Sequence, residues 1–394
     1  MADEYAATFA VTSIEAIVKE KFSDASSIKL LWRGKESFNT IFDAVRKATQ
    51  FICLEFYIFR NDETGCELAE ILKEKSREKV RVYLLYDHFG SIGTPRSFWN
   101  SMKEAGVQIA ASRPFKWISP FHYVHRNHSK LIVIDAQKAF TGGINIANEY
   151  SGFHLKFKGM KWRDTGIMLE GPIVHNLYKS FRKNWFAWAR EIIEAPSEAI
   201  QYSNSGDISS EAPIRVMPIF VNAAKGRRKM RRLLYYSINH ARKSISLTTA
   251  YFTPSRRMVE TLEQAVARGV RVRLLVPGIT DVPPAAYAGR AFFTRLLRAG
   301  VEIYSYTGEI LHAKTSLFDE CWGIIGSTNL DFQSLRYNDE GNVGILDLNF
   351  ASKINDLFEE DIKHSARIDE AEWHRRPLFE KIKEYFFSFF RRRL

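Results

Sequence analysis

The chain is poor in the residues that would staple it together. Its 394 residues include three cysteines, Cys53, Cys66 and Cys321, with no Cys-x-x-Cys pair, so neither a disulfide framework nor a zinc ribbon is written into it. A reducing compartment is the simplest home for such a chain. Long apolar runs are also missing: no stretch approaches the roughly 18 residues a spanning helix needs. The N-terminus, Met-Ala-Asp-Glu-Tyr, is acidic and lacks the apolar core and cleavage site of a secretion signal. Neither secretion nor membrane spanning is expected. With 12 prolines, 22 glycines and 45% hydrophobic residues the chain is neither collagen-like nor broadly disordered. Acidic residues are the minority charge, 45 against 57 Lys and Arg, and the net charge of +12 favours an anionic partner. Nucleic acid and an anionic lipid surface both qualify, and composition does not choose between them.

What the chain does contain is itself, twice. Phe51–Phe59 reads as a strand, 67–79 as a helix, Val80–Tyr86 as a buried strand and 97–105 as a helix closed by Gly106. The same order returns as a strand at Ser244–Phe252, a helix at 255–268, a strand at Val270–Val276 and a helix ending at Gly300. Alternation of this kind predicts an α/β layered architecture with both sheet faces covered. The segment from Glu194 to Ser210 is rich in Ser, Pro and Gly and reads as a boundary. The expected division is therefore a first half at 1–195, a linker at 196–212, a second half at 213–365 and a C-terminal basic and aromatic helix at 366–394.

Each half carries one H-x-K-x4-D block: His128-Ser-Lys130 to Asp135, and His312-Ala-Lys314 to Asp319. A small-residue turn ending in Asn follows each, Gly142-Gly143-Ile-Asn145 and Gly326-Ser327-Thr-Asn329, and both 312 − 128 and 329 − 145 equal 184. On a strand, His and Lys two apart share a face, while the Asp at an odd offset faces away and reads as a structural residue serving local backbone groups. An imidazole can attack phosphorus or shuttle protons, and an ammonium and an Asn amide can hold phosphoryl oxygens. One such block is a weak signal; two in register inside a duplication are a strong one.

These blocks resemble the signature of the phospholipase D superfamily, from about residue 28 to about residue 350. Within it, the stretches Asp135–Tyr150, Trp162-Arg163-Asp164-Thr165, Leu169-Glu-Gly-Pro172 and Gly326–Asp331 are most similar to bacterial cardiolipin synthases, of the shorter type without N-terminal transmembrane segments. The resemblance implies two tandem α/β/α sandwich halves related by a pseudo-twofold axis, one shared active site, and no metal or cofactor. It also implies a phosphohistidine intermediate, with His128 as nucleophile and His312 as acid and base; near-symmetry of the halves permits the reverse. Asp164 and Glu340 match the acids that orient the imidazole of the opposite half, although the Asn338-Asp339 approach to Glu340 departs from the more apolar one expected. The implied function is a phosphatidyltransferase acting on phosphatidylglycerol to give cardiolipin, peripherally on the cytoplasmic side of the bacterial cytoplasmic membrane. A phospholipase D hydrolase, a nuclease of the superfamily and a non-catalytic lipid-binding protein are the alternatives. No helix-turn-helix, RRM or zinc-finger pattern supports the nucleic-acid reading. Nothing in the sequence speaks to oligomeric state.

Weaker signals remain. His122, His125 and His128 recur every three residues, but with no Cys or acidic cluster beside them they read as part of a polar rim rather than a metal site. Phe115, Trp117, Ile118, Phe121 and Tyr123, among Arg113, Lys116 and Arg126, suit such a rim near lipid headgroups or plain loop packing. The basic run Lys225–Arg232 reads as the start of a solvated helix or as a phosphate-binding run. From Pro377 onward, Phe379, Ile382, Phe386, Phe389 and Phe390 share one helix face beside Arg391, Arg392 and Arg393. That pattern suits either an interfacial helix on anionic lipid or a Phe face docked on the protein core.

Overall fold

A computed structural model describes residues 8–115, 125–152, 161–193, 213–222 and 224–391. The backbone forms two compact units, the first comprising residues 22–220 and 339–343, the second residues 1–21, 221–338 and 344–394.

In the first unit a mixed seven-stranded sheet runs in the order Ser27–Leu31, Gly166–Glu170, Lys138–Gly142, Leu131–Ile134, Phe51–Phe56, Arg81–Asp87, Gln108–Ser112. The last three strands are parallel to one another and the rest antiparallel. Phe51–Phe56 is buried at all six positions, as a parallel strand covered on both faces must be. Helices Gly34–Arg46 and Glu63–Arg77 are amphipathic and bury Phe38, Phe42, Leu68 and Leu72 in a core shared with Ile52, Leu54 and Ile132. Asp62 caps the second of these helices by accepting from Gly65 N.

The second unit repeats the plan. Its strands run Trp322–Gly326, Thr315–Phe318, Ser244–Thr248, Arg271–Pro277, Glu302–Tyr306, Ser365–Arg367, again with three consecutive parallel strands and an antiparallel hairpin beside them. Ser255 caps helix Arg256–Ala267 by accepting from Met258 N, in the place Asp62 holds in the first unit. Gly106 and Gly300 sit at φ of +98° and +93°, a conformation that needs glycine, where each helix turns into the next strand. The mixed α/β class and the duplication are thus both present.

The compact units cut the chain differently from a simple halving. Residues 8–21 belong to the second unit, where Phe9 packs on Phe318 with ring centroids 6.3 Å apart. Residues 366–394 are part of that unit too. Ser365–Arg367 adds an antiparallel edge to Glu302–Tyr306, and helix Leu378–Phe390 packs on helix Pro283–Arg290. Residues 339–343 belong to the first unit, because Asn127 bridges in parallel to Asp339. The linker at 196–212 lies outside the described residues. The basic run falls on helix Ala224–His240.

Candidate active site

The first motif does not sit on a strand, contrary to the alternation expected from its spacing. The strand begins at Leu131, and His128 to Lys130 form an extended approach to it, because their backbone is bonded elsewhere. His128 N donates to Asp339 O at 2.8 Å, and Asn127 N to the Asp87 carboxylate at 2.8 Å. Asn127 Nδ2 donates to Glu55 Oε1 at 2.7 Å, and Asn184 Nδ2 donates to the same carboxylate at 2.8 Å. Burial pushes the Glu55 carboxyl up to about 7, against the pull of those two amides, and also raises Asp87.

His128 Nδ1 lies 3.1 Å from Oε2 of the fully buried Glu340. Asp339, its neighbour, is instead ion-paired with Arg113. A carboxylate only accepts, so this contact puts the His128 proton on Nδ1 and makes Nε2 the basic nitrogen of the ring. The Tyr57 ring meets His128 edge-on at 4.8 Å, and Lys130 Nζ donates to His128 O at 2.6 Å while lying 5.4 Å from the Tyr57 ring centre.

The turn after the motif is tightly built. Gly142 has φ +140°, and a Cβ on it would come within 2.5 Å of Gly166 Cα. A Cβ on Gly143 would come within 2.0 Å of Asp164 Oδ1, so the small residue makes room for that carboxylate. Asp164 is buried and accepts from Thr165 N at 2.7 Å. Asn145 accepts on Oδ1 from Ile58 N at 3.1 Å and donates to Tyr150 Oη at 2.7 Å.

The second motif has the same backbone plan with different neighbours. His312 to Lys314 precede the strand Thr315–Phe318. Lys314 Nζ donates to His312 O and lies 2.5 Å from His312 Nδ1. An ammonium has only donors, so here Nδ1 is the acceptor and Nε2 carries the proton, the opposite tautomer to His128. Tyr251 meets His312 edge-on at 6.2 Å. Asn329 Oδ1 accepts from Tyr251 N and Thr249 Oγ1, both at 3.3 Å. Gly326 ends its strand with N donating to Lys314 O, and Ser327 is buried.

The two aspartates of the motifs lie beyond their strands, at φ +52° and +50°, and do matching work. Asp135 accepts from the backbone N of Thr49, Gln50 and Phe51 and from Thr49 Oγ1; Asp319 accepts from the backbone N of Arg242, Lys243 and Ser244. Each clamps the entry of the first parallel strand in its unit.

Several site residues escaped the sequence reading. Tyr57 and Tyr251 each follow the first parallel strand of their unit but one register position apart, because it is Ile58 whose N–H, like that of Tyr251, donates to the turn asparagine. Glu55 and Asp87 reach the site through sheet register from far along the chain. In the second unit a cavity of about 410 Å³ is lined by Tyr251, Phe252, Pro277, Tyr287, Phe293 and Trp373, among others. Of the expected membrane residues, Phe386, Phe389 and Phe390 are exposed and Arg391 is half-buried, while Arg392 and Arg393 lie outside the described residues. So do His122, Lys116, Trp117, Ile118, Phe121 and Tyr123; Phe115 is exposed, and Arg126 lies 4.0 Å from the Phe89 ring centre. Among the described residues no group of three or more His, Cys, Asp or Glu is placed to hold a metal ion, and no helix is long and apolar enough to cross a membrane.

Comparison with known proteins places this geometry. The family described as cardiolipin synthase, PLD-like domain, matches residues 41–185 and 234–362. The chain is 34% identical over 369 residues to the probable cardiolipin synthase YwiE of Bacillus subtilis, covering 93% of this chain and 72% of that protein. It is 30% identical over 368 residues to the major cardiolipin synthase ClsA of the same organism, covering 92% and 74%. A crystal structure of phosphatidylserine synthase from Haemophilus influenzae superposes with a TM-score of 0.74 at 14% identity, covering 98% of this chain and all of that one, which speaks to the fold. The chain belongs to the cardiolipin synthase family, the phosphatidyltransferase branch of the phospholipase D superfamily of enzymes.

Proposed function

We propose that the enzyme transfers a phosphatidyl group from one phosphatidylglycerol to a hydroxyl of a second, giving cardiolipin and glycerol. The observation that carries this reading is the pair of opposite tautomers, His128 with its Nδ1 proton held by Glu340 and His312 with Nδ1 accepting from Lys314 and the proton on Nε2. One is a nucleophile and the other an acid.

His128 Nε2 attacks phosphorus, forming a P–N bond as the bond to the glycerol oxygen breaks. His312 gives its Nε2 proton to that oxygen. The positive charge on the phosphorylated imidazole is stabilised by Glu340. His312, now a base, takes the proton of the incoming lipid hydroxyl, whose oxygen attacks phosphorus and frees His128. Asp164 is assigned to orient His312, by resemblance. Lys130 and Lys314 supply positive charge to the phosphoryl oxygens; the amide oxygens of Asn145 and Asn329 are bonded inside the protein, which turns their N–H groups into the donors, one of Asn145's being taken by Tyr150 Oη. This chemistry uses side chains alone and calls on no metal or cofactor. Water in place of the lipid hydroxyl would give phosphatidic acid, so exclusion of water decides between transfer and hydrolysis.

The reading places the enzyme peripherally on the bacterial cytoplasmic membrane, at its cytoplasmic side, with phosphatidylglycerol and cardiolipin as lipid partners. Free thiols at Cys53, Cys66 and Cys321 agree with that side. The test is lipid mass spectrometry after incubation with phosphatidylglycerol vesicles, with and without phosphatidylethanolamine, beside His128→Ala. Cardiolipin with glycerol release is expected. Phosphatidic acid alone would make the protein a hydrolase, and absence of any His128-dependent lipid product would redirect attention to nucleic acid.

A further inference from the structure

Helix Leu378–Phe390 is amphipathic, and it is mounted with its polar side inward. Its one buried residue is Glu384. That carboxylate is ion-paired with Arg290 Nε at 3.1 Å and Arg376 Nη2 at 2.6 Å, and Glu380 lies 3.5 Å from Arg290 Nη1. Trp373 lies under both arginines, 5.2 Å from Arg290 and 4.1 Å from Arg376, and Phe387 stacks on Tyr287 at 5.8 Å. The opposite face consists of Phe379, Ile382, Tyr385, Phe386, Phe389 and Phe390, each between 45% and 68% exposed. A surface helix of a globular protein normally does the reverse.

The geometry points to this face as the surface on which the protein lies on an anionic bilayer, an inference that rests on the lipid-enzyme reading and adds where the protein meets the membrane. Charge selects the occupant. Both acids of the segment from Pro377 onward, Glu380 and Glu384, are turned onto the arginines of their own unit. Lys381, Lys383 and Arg391 stand half-buried beside the aromatic face, Lys381 donating to His374 O, Lys383 to Tyr287 Oη and Glu380, and Arg391 to Ser388 O, and the sequence continues with Arg392 and Arg393. Aromatic area with cations at its rim matches the boundary between headgroups and acyl chains of an anionic leaflet. The seat of the helix adds continuity with the chemistry: Pro283, Tyr287 and Arg290, which lie beneath it, also line the 410 Å³ cavity, and so does Tyr251, the ring beside His312.

The experiment is co-sedimentation of the full chain with vesicles of phosphatidylglycerol and phosphatidylethanolamine, and with vesicles of phosphatidylcholine alone, for wild type, the double variant F386E/F389E and His128→Ala. Wild type and His128→Ala are expected to bind the anionic vesicles, more weakly at high salt and on phosphatidylcholine. The double variant is expected to lose at least about tenfold in apparent affinity, since it removes buried aromatic area and adds like charge against the leaflet. These side chains are exposed, so its thermal unfolding midpoint is expected to stay put. Equal sedimentation of wild type and the double variant would overturn the inference. So would a wild-type dimer, measured by light scattering, that the substitutions split, because the face would then be covered by a second copy. Binding without any lipid product would leave this inference standing and remove the proposed chemistry instead.

Discussion

The two units share a strand order, a motif and an aspartate clamp, yet they surround their histidines with opposite chemistry. Sheet register makes the comparison exact enough to use: Glu55 pairs with Leu131, three residues past His128, and Thr248 with Thr315, three residues past His312. Glu55 therefore corresponds to Thr248, and by the parallel pairing Asp87 corresponds to Pro277. The first unit sets the buried Glu340 against its imidazole, with Glu55 and Asp87 bonded to the adjacent Asn127. The second gives its own imidazole a lysine. The units differ beyond the motif as well. Where Phe59, Phe98, Trp99 and Tyr86 fill the first with ring contacts, including a stack at 4.1 Å, the second is hollowed into the cavity beneath helix Pro283–Arg290. Duplication supplied two similar scaffolds whose neighbours differ, a carboxylate facing Nδ1 of one imidazole and an ammonium facing Nδ1 of the other.

The sharpest way to break that comparison is to remove each imidazole in turn. His128→Ala is expected to lower transfer by about 10⁴-fold or more, with no covalent adduct from a substrate bearing a good leaving group. His312→Ala should be as slow on phosphatidylglycerol but still trap the adduct, detected by intact-protein mass spectrometry. The reverse pattern would exchange the roles. Glu340→Gln leaves the shape intact and removes the charge that fixes the His128 tautomer. A fall in kcat of roughly 10²–10⁴-fold is expected, by analogy with other carboxylate-oriented histidines. An unchanged kcat would show that Glu340 only fills space.

The motifs, the turn asparagines and the succession of strands and helices along each half were legible in the sequence because each is a local pattern that appears twice. Asp135 and Asp319 read as structural from their odd offset and from the habit of strand-end aspartates to serve backbone groups; the second reason describes the clamp, while the alternation argument stops at Ile134 and Phe318, where the strands end. Glu55 was not. Within Phe-Ile-Cys-Leu-Glu-Phe it reads as one polar residue in a buried strand, and only the register that brings Asn127 and Asn184 to it gives it a role. The C-terminal helix marks the same limit from another direction. Spacing places Phe379, Ile382, Phe386, Phe389 and Phe390 on one face, but which face turns outward depends on Arg290, about 90 residues earlier, taking Glu384.

The shared clamp sharpens the comparison at smaller scale. Asp135→Ala and Asp319→Ala each strip hydrogen bonds from three consecutive backbone N–H groups at a strand entry, so each is expected to cost roughly 3–4 kcal/mol in chemical denaturation. Similar losses would show the two scaffolds to be equivalent beneath their different sites. A loss confined to one would mean that the clamp matters only where the neighbouring sheet needs it.

The smallest effect concerns the acid that only the first unit has. Burial holds the Glu55 carboxyl at about 7, against an ordinary 4.5, so the folded protein favours its protonated form. Below pH 4.5 Glu55 is protonated whether the chain is folded or not, and its contribution to stability is fully present. As pH rises from 4.5 to 7 the unfolded chain ionises it freely while the folded chain resists, and up to about 3 kcal/mol of stability is lost across that window. Glu55→Gln keeps an amide oxygen for Asn127 and Asn184 but cannot ionise. Denaturation midpoints at pH 5 and pH 8 should therefore show the variant gaining on wild type as pH rises, with the gap complete above pH 7. Thr248→Val, at the equivalent position of the second unit, should show no such pH dependence. Parallel profiles for wild type and Glu55→Gln would mean that Glu55 stays ionised in the folded protein. The acids bonded to Asn127, next to His128, would then be more strongly negative, and the contrast with the second unit larger still.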